Sequence, residues 1–232
     1  MDNTNKATMW FIGGFLVLVI VGVTAAYMAS GGSSAANSGQ SATTPATTVP
    51  AISAGDWTEG NKAAKVSVIE YGDYECPACG SWSPIVDQLV KDYGSEIVYS
   101  FRNFPLYQIH PDAQISSEAA EAAGLQGKYW EMHELLYKNQ AAWSVADPGT
   151  VVSKYFDGYA GQLGLDVKKF DQDINSSAVS NKIQADVAGG NAAQIDHTPT
   201  FFVNLTQIPN PTDYNAFKAV IDQALAAASS TK

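Results

Sequence analysis

"VIEYGDYECPACGSW", residues 68–82, is the stretch on which the fold of this chain turns. It holds the only two cysteines, Cys76 and Cys79, behind an apolar run and beside a proline. A proline at the first helical position suits the helix, because its fixed φ is helical and its missing N–H is not needed there. With Pro77 opening a helix, Cys76 falls at the N-cap, where unpaired backbone N–H groups and the helix dipole favour negative charge. Such a setting brings a thiol from a pKa of about 8.5 to roughly 3.5–7.5, which makes Cys76 the expected nucleophile. Cys79 lies one turn inside on the same face, at about 5–6 Å, where it is more buried and feels less of the dipole. That asymmetry suits a resolving thiol. A structural bridge closing so short a loop removes little chain entropy, so stability is a poor reason for the pair.

Working outward, "KVSVIEYG" (65–72) and "EIVYSFRNF" (96–104) are β-branched, apolar and read as buried strands. Between them Trp82, Ile85, Val86, Leu89 and Val90 recur at helical spacing. The unit is β-α-β, hence a parallel pair with a right-handed crossover. Glu70 interrupts the first strand, and a carboxylate in a buried strand is costly unless it is neutral or functional. Burial raises a carboxyl pKa, which would let Glu70 relay the proton of Cys79; the alternative is that it faces outward on the pleat. Asp73 and Glu75 are expected to oppose a thiolate on Cys76. Ala78 offers it neither a cation nor a hydrogen bond, which points to a mild oxidant.

About four helices are expected between Asp112 and Ala188, in "SSEAAEAAG", "KYWEMHELLYKNQ", "PGTVVSKYFDGYAGQL" and "DVKKFDQDINSSAVSNKIQADVAG". Strand character returns in "PTFFVN" (199–204), and "TDYNAFKAVIDQALAAA" closes the chain as an amphipathic helix. Metal binding is not expected, because His110, His133 and His197 stand far apart and none has ligand spacing to another. His133 reads as a helix residue and His110 as a loop residue.

The 232 residues carry a net charge of −10 and no Lys/Arg cluster, which argues against a nucleic-acid partner. Residues 10–28, "WFIGGFLVLVIVGVTAAYM", are uncharged, and as a helix they reach roughly 28 Å against a hydrocarbon core of about 30 Å. They are expected to be a transmembrane anchor, with a cleaved signal ending near Val23-Thr24-Ala25 as the alternative. Lys6 before the span and no basic residue until Lys62 place segment 1–9 in the cytoplasm and the remainder outside the cell membrane. Residues 29–55 lack charge and aromatic rings and read as a flexible linker, which leaves 56–232 as the folded domain.

With "FRNFPL", "QGKYWEMHELLYKNQAAW", "LGLD" and "HTPTFFVN", the opening stretch resembles the DsbA-type thiol–disulfide oxidoreductases, in their membrane-anchored bacterial form, from about Trp57 onward. The resemblance implies an α/β thioredoxin fold with an inserted helical domain at about 112–188. It implies Cys76 as attacking thiol, Cys79 as resolving thiol, Glu70 as buried acid, and Pro199 as a cis-proline opposite the sulfurs. The backbone of Thr198 would then pair with an extended substrate, and Pro77, Ala78, Thr198 and His197 are assigned to substrate binding. An imidazole at His197 would either reach the sulfur or, more commonly, face solvent.

The activity expected is the introduction of disulfides into secreted or cell-envelope proteins, with no cofactor beyond the Cys76–Cys79 disulfide itself. Its partners would be reduced, unfolded proteins and a quinone-linked membrane protein that restores the disulfide. A reductase or isomerase using the same site is one alternative. A tethered, non-catalytic chaperone is another.

Overall fold

The computed structural model describes residues 48–147 and 149–230. Segment 1–9, the expected anchor at 10–28 and most of the expected linker lie outside the described residues. Among the described residues no helix is long and apolar enough to cross a membrane.

The expected β-α-β unit consists of β2 (Val66–Gly72), α1 (Pro77–Tyr93) and β3 (Ile97–Asn103), preceded by an edge strand β1 (Thr58–Gly60). Strands β2 and β3 run parallel, with Val66 beside Ile97 and Gly72 beside Asn103. The antiparallel strands β4 (Thr200–Val203) and β5 (Thr206–Gln207) complete a mixed sheet in the order β1-β3-β2-β4-β5. Helix α8 (Tyr214–Ser230) closes the domain, and its Phe217 stacks edge-on against Phe201 and Trp82.

Strand β2 is central and covered on both faces, which explains a run of apolar residues without polar alternation. Val66 and Val68 enter the larger core with Tyr99, Phe101, Phe201 and α1, whereas Ile69 and Tyr71 enter a second core with Phe104, Phe202 and Ile195. By the period of two, Glu70 points with Val66 and Val68 toward α1 and not to solvent. Register sets it between Phe101 and Phe201.

The helical block contains α2 (Ala113–Gly124), α3 (Tyr129–Lys138), α4 (Gln140–Trp143), a π turn (Val152–Phe156), α5 (Asp157–Gln162), α6 (Val167–Ile174) and α7 (Ser177–Ala192). The number exceeds the expected four because two long patterns are interrupted. Ser176, for example, accepts a hydrogen bond from the Val179 amide and starts a new helix where an unbroken one was expected.

The chain is packed ahead of the expected domain start at Asp56. Thr48 bridges Thr206, the Val49 amide bonds the Leu205 carbonyl, and the Val49 side chain is buried against Ile69 and Tyr71 in the second core. Arg102 bonds the carbonyls of Pro50 and Ala51 and pairs with Asp56 at 3.0 Å. A composition poor in apolar residues therefore does not keep residues 48–55 free, because one buried valine and main-chain bonds suffice to dock them. The turn between β4 and β5 uses Asn204 and Leu205, both at positive φ (49° and 67°). These are the two left-handed positions of a tight hairpin turn that glycine usually fills.

Candidate active site

Helix α1 starts at the Cys76 N-cap, with φ −67° and ψ 120°, and Pro77 takes the first turn. The turn before it is closed by the Cys76 amide donating to the Asp73 carbonyl at 3.1 Å and by the Glu75 amide donating to Asp73 Oδ1 at 2.8 Å. From the helical block, Gln140 Nε2 donates to the carbonyls of Tyr74 (2.7 Å) and Cys76 (2.9 Å). Gly80 leaves room for that side chain, since a Cβ there would lie 2.4 Å from Gln140 Oε1.

Cys76 is buried, 7% exposed, and its thiol donates to the Thr198 carbonyl at 3.5 Å. Its pKa is lowered to about 5. The hydrogen bond from the Cys79 side chain lowers it most, burial opposes that, and the Thr198 side chain and the amides of Cys79 and Ala78 lower it further. Cys79 is fully buried, and burial first, then its bond to Cys76 and the charge of Glu70, push its thiol well above the ordinary value. The Asp73 amide, donating to Cys79 Sγ at 3.5 Å, opposes this. At neutral pH one sulfur is therefore an anion and the other a thiol. Both cysteines are unbridged in this structure.

Glu70 is 2% exposed, and Tyr99 Oη donates to its Oε2 at 2.8 Å. Burial raises its pKa to about 8 against that bond, so at neutral pH it is mostly a neutral acid. The Thr198–Pro199 bond is cis, as the resemblance implies. Thr198 is buried beside Cys76. The structure thus brings Cys76, Pro77, Ala78, Cys79, Glu70, Thr198 and Pro199 to one end of the sheet.

His197 is the member that stands apart. Its half-exposed ring bonds Asp196 Oδ1 at 2.7 Å and faces solvent. The carboxylates of Asp73 and Glu75 are engaged by groups other than Cys76. The Asp73 carboxylate takes the Leu106 amide (2.9 Å) and His110 Nδ1 (2.7 Å), and Glu75 takes the Asp112 amide (2.6 Å). His133 is buried, and burial lowers its pKa to about 3, so it is a neutral ring packed among Tyr74, Phe101 and Tyr137. Among the described residues no cluster of His, Cys, Asp or Glu has metal-holding geometry. Sequence reasoning missed Gln140 and the holding role of Asp73. Nothing in "KNQAAW" marks a glutamine that reaches back 64 residues.

A proximal acidic thiol at a helix start, a buried second thiol and a cis-prolyl loop on a mixed sheet define a protein of the thioredoxin class. The family model for thioredoxin matches residues 53–223, and the chain belongs to that family. BdbD from Bacillus subtilis, 24% identical, superposes with a TM-score of 0.67 over 78% of this chain and 98% of that one. The alpha-DsbA1 of Wolbachia pipientis, 21% identical, gives 0.67 over 76% and 94%. The DsbA-type resemblance therefore holds at the level of the fold. Among curated proteins, the chain is 39% identical over 171 residues to the Na(+)/H(+) antiporter NhaA 1 of Salinispora arenicola, 74% of this chain but 25% of that protein. The chain thus spans about a quarter of the length of the curated relatives it matches.

Proposed function

We propose that the chain is a thiol–disulfide oxidoreductase that introduces disulfides into secreted or cell-envelope proteins through Cys76-Pro77-Ala78-Cys79. The observation that carries this reading is the split between the two sulfurs, with Cys76 at the start of α1 lowered to about 5 and Cys79 buried and raised. In the oxidised protein a substrate thiolate attacks Cys76 Sγ. A new S–S bond forms, the Cys76–Cys79 bond breaks, and the electron pair stays on Cys79. Glu70, protonated at neutral pH, supplies the proton that Cys79 takes up. A second substrate thiolate attacks the substrate sulfur of the mixed disulfide, and Cys76 departs as the thiolate that this site stabilises. The substrate loses two electrons and the protein disulfide gains them.

Reoxidation is assigned to a quinone-linked membrane partner. The apolar span at 10–28 and the match to Na(+)/H(+) antiporters support a cell-membrane location, and Lys6 before the span, with no basic residue until Lys62, supports a catalytic domain outside. Pro77, Ala78, Thr198 and the exposed His197 would line the path of an extended substrate chain, with the Thr198 backbone as its pairing edge.

The test is to incubate the oxidised full chain with a reduced, unfolded protein that carries two cysteines. Disulfide formation in that protein is expected, and its loss in Cys76→Ser. Suppression of that protein's aggregation, surviving in Cys76→Ser, would instead mark a chaperone. A reduction potential well above the value of about −270 mV for thioredoxin supports the oxidase direction, and one near it a reductase.

A further inference from the structure

Asp73 is fully buried, with each of its hydrogen-bonding groups engaged around the active site. Its main-chain amide points at Cys79 Sγ (3.5 Å), and its carbonyl accepts from the Cys76 amide (3.1 Å) and Tyr137 Oη (3.4 Å). Its carboxylate accepts from the Glu75 amide on Oδ1, and from the Leu106 amide and His110 Nδ1 on Oδ2. Leu106 and His110 belong to a loop that also presents Tyr107 and Ile109, 64% and 69% exposed. A fully buried carboxylate fixed by three donors holds its own backbone in one orientation. Cys79 is otherwise poorly placed to carry charge, because burial opposes it.

We propose that the Asp73 main-chain N–H donates a hydrogen bond to the electron pair that stays on Cys79 Sγ as Cys79 leaves Cys76, and that the Asp73 carboxylate is the positioning group that keeps this N–H aimed through Leu106 and His110. The inference rests on the oxidoreductase reading. When the Cys76–Cys79 bond breaks, Cys79 departs as a thiolate, and a better-stabilised leaving thiolate leaves faster. An N–H aimed at the developing anion acts as an oxyanion-hole donor does for oxygen. The same donor serves the reverse step, in which the Cys79 thiolate attacks Cys76.

The experiment separates the step in which Cys79 moves from a step in which it is a bystander. With the oxidised full chain, cleavage of the Cys76–Cys79 bond by a single-thiol peptide is timed. With the reduced full chain, alkylation of Cys76 by iodoacetamide is timed. Asp73→Asn keeps the Glu75 contact but sets an NH2 group against two donors, and it is expected to slow cleavage about tenfold. Alkylation is expected to stay within about twofold of wild type. His110→Ala, at a partly exposed position, removes one of the holding bonds and is expected to slow cleavage about threefold, again sparing alkylation. Cleavage at the wild-type rate in both variants, or alkylation falling in step with cleavage, overturns the inference. A wild-type chain that exchanges no disulfide at all overturns the oxidoreductase reading beneath it.

Discussion

Glu70 and Glu121 are both buried carboxylates, and burial raises both, to about 8 and about 7. Their surroundings differ. Glu121 on α2 accepts from Trp57 Nε1 and Asn103 Nδ2, both at 2.7 Å, and feels Lys182. Its neighbour Asp186 takes the Asn103 amide and Lys182, and Arg102 pairs with Asp56 in the same region. Glu70 has one donor, Tyr99, and its charge acts on Cys79. The first carboxylate belongs to a closed net of partners that ties the start of the domain to β3, α2 and α7. The second is left short of partners beside a sulfur that must change its protonation. A perturbed acid alone therefore does not mark chemistry; what marks it is incomplete pairing next to a reacting atom.

The hardest test of this contrast breaks the closed net. Arg102→Ala leaves buried Asp56 with Lys182, at 3.9 Å, in place of its hydrogen-bonded cation, and takes the Arg102 donors from the carbonyls of Pro50 and Ala51. It is expected to cost about 3 kcal/mol of unfolding free energy, read from denaturant unfolding curves, while the folded fraction keeps its exchange rate. A loss of exchange in the folded fraction would join the two regions and end the comparison.

Glu70→Gln acts on the open side. It should slow cleavage of the Cys76–Cys79 bond about tenfold by removing the proton source, whereas Glu121→Gln should leave that rate unchanged. Stability should move as well, with a definite sign. The folded pKa of Glu70 lies above its ordinary value of 4.5, so the unfolded chain gives up the proton first and stability falls as pH rises from 4.5 to about 8. The Gln variant should show a flatter profile and be more stable by about 3 kcal/mol at neutral pH, read from unfolding curves across that window. The smallest effect is expected at His197→Ala. Its ring is engaged by exposed Asp196, so the rate of Cys76 alkylation should change by less than about twofold.

What could be read from the sequence follows from the range of the interactions involved. The β-α-β unit and the thiol pair rest on contacts within a strand or a helical turn, and their periodicity and proline mark are local. The direction of Glu70 depended on whether β2 has both faces covered, which only the sheet order decides. The docked segment at 48–55 and its grip by Arg102 join residues 46 to 52 apart. Gln140 reaches the active-site turn from 64 and 66 positions away. Such partners carry no repeat, so nothing in composition or spacing announces them. The split of the last two helices was visible in principle, since Ser176 is a good cap, but it sat inside an otherwise continuous amphipathic pattern.

The segment laid down from Thr48 also has a mechanical meaning. A pull applied at Thr48 would first load its bridge to Thr206, the Val49–Leu205 bond and the hold of Arg102 on two carbonyls, all outside the face that carries Glu70. Those bonds form a strain relief, like the clamp on a cable where it enters its housing. Tugging on the lead-in is absorbed there before it can disturb the sulfurs.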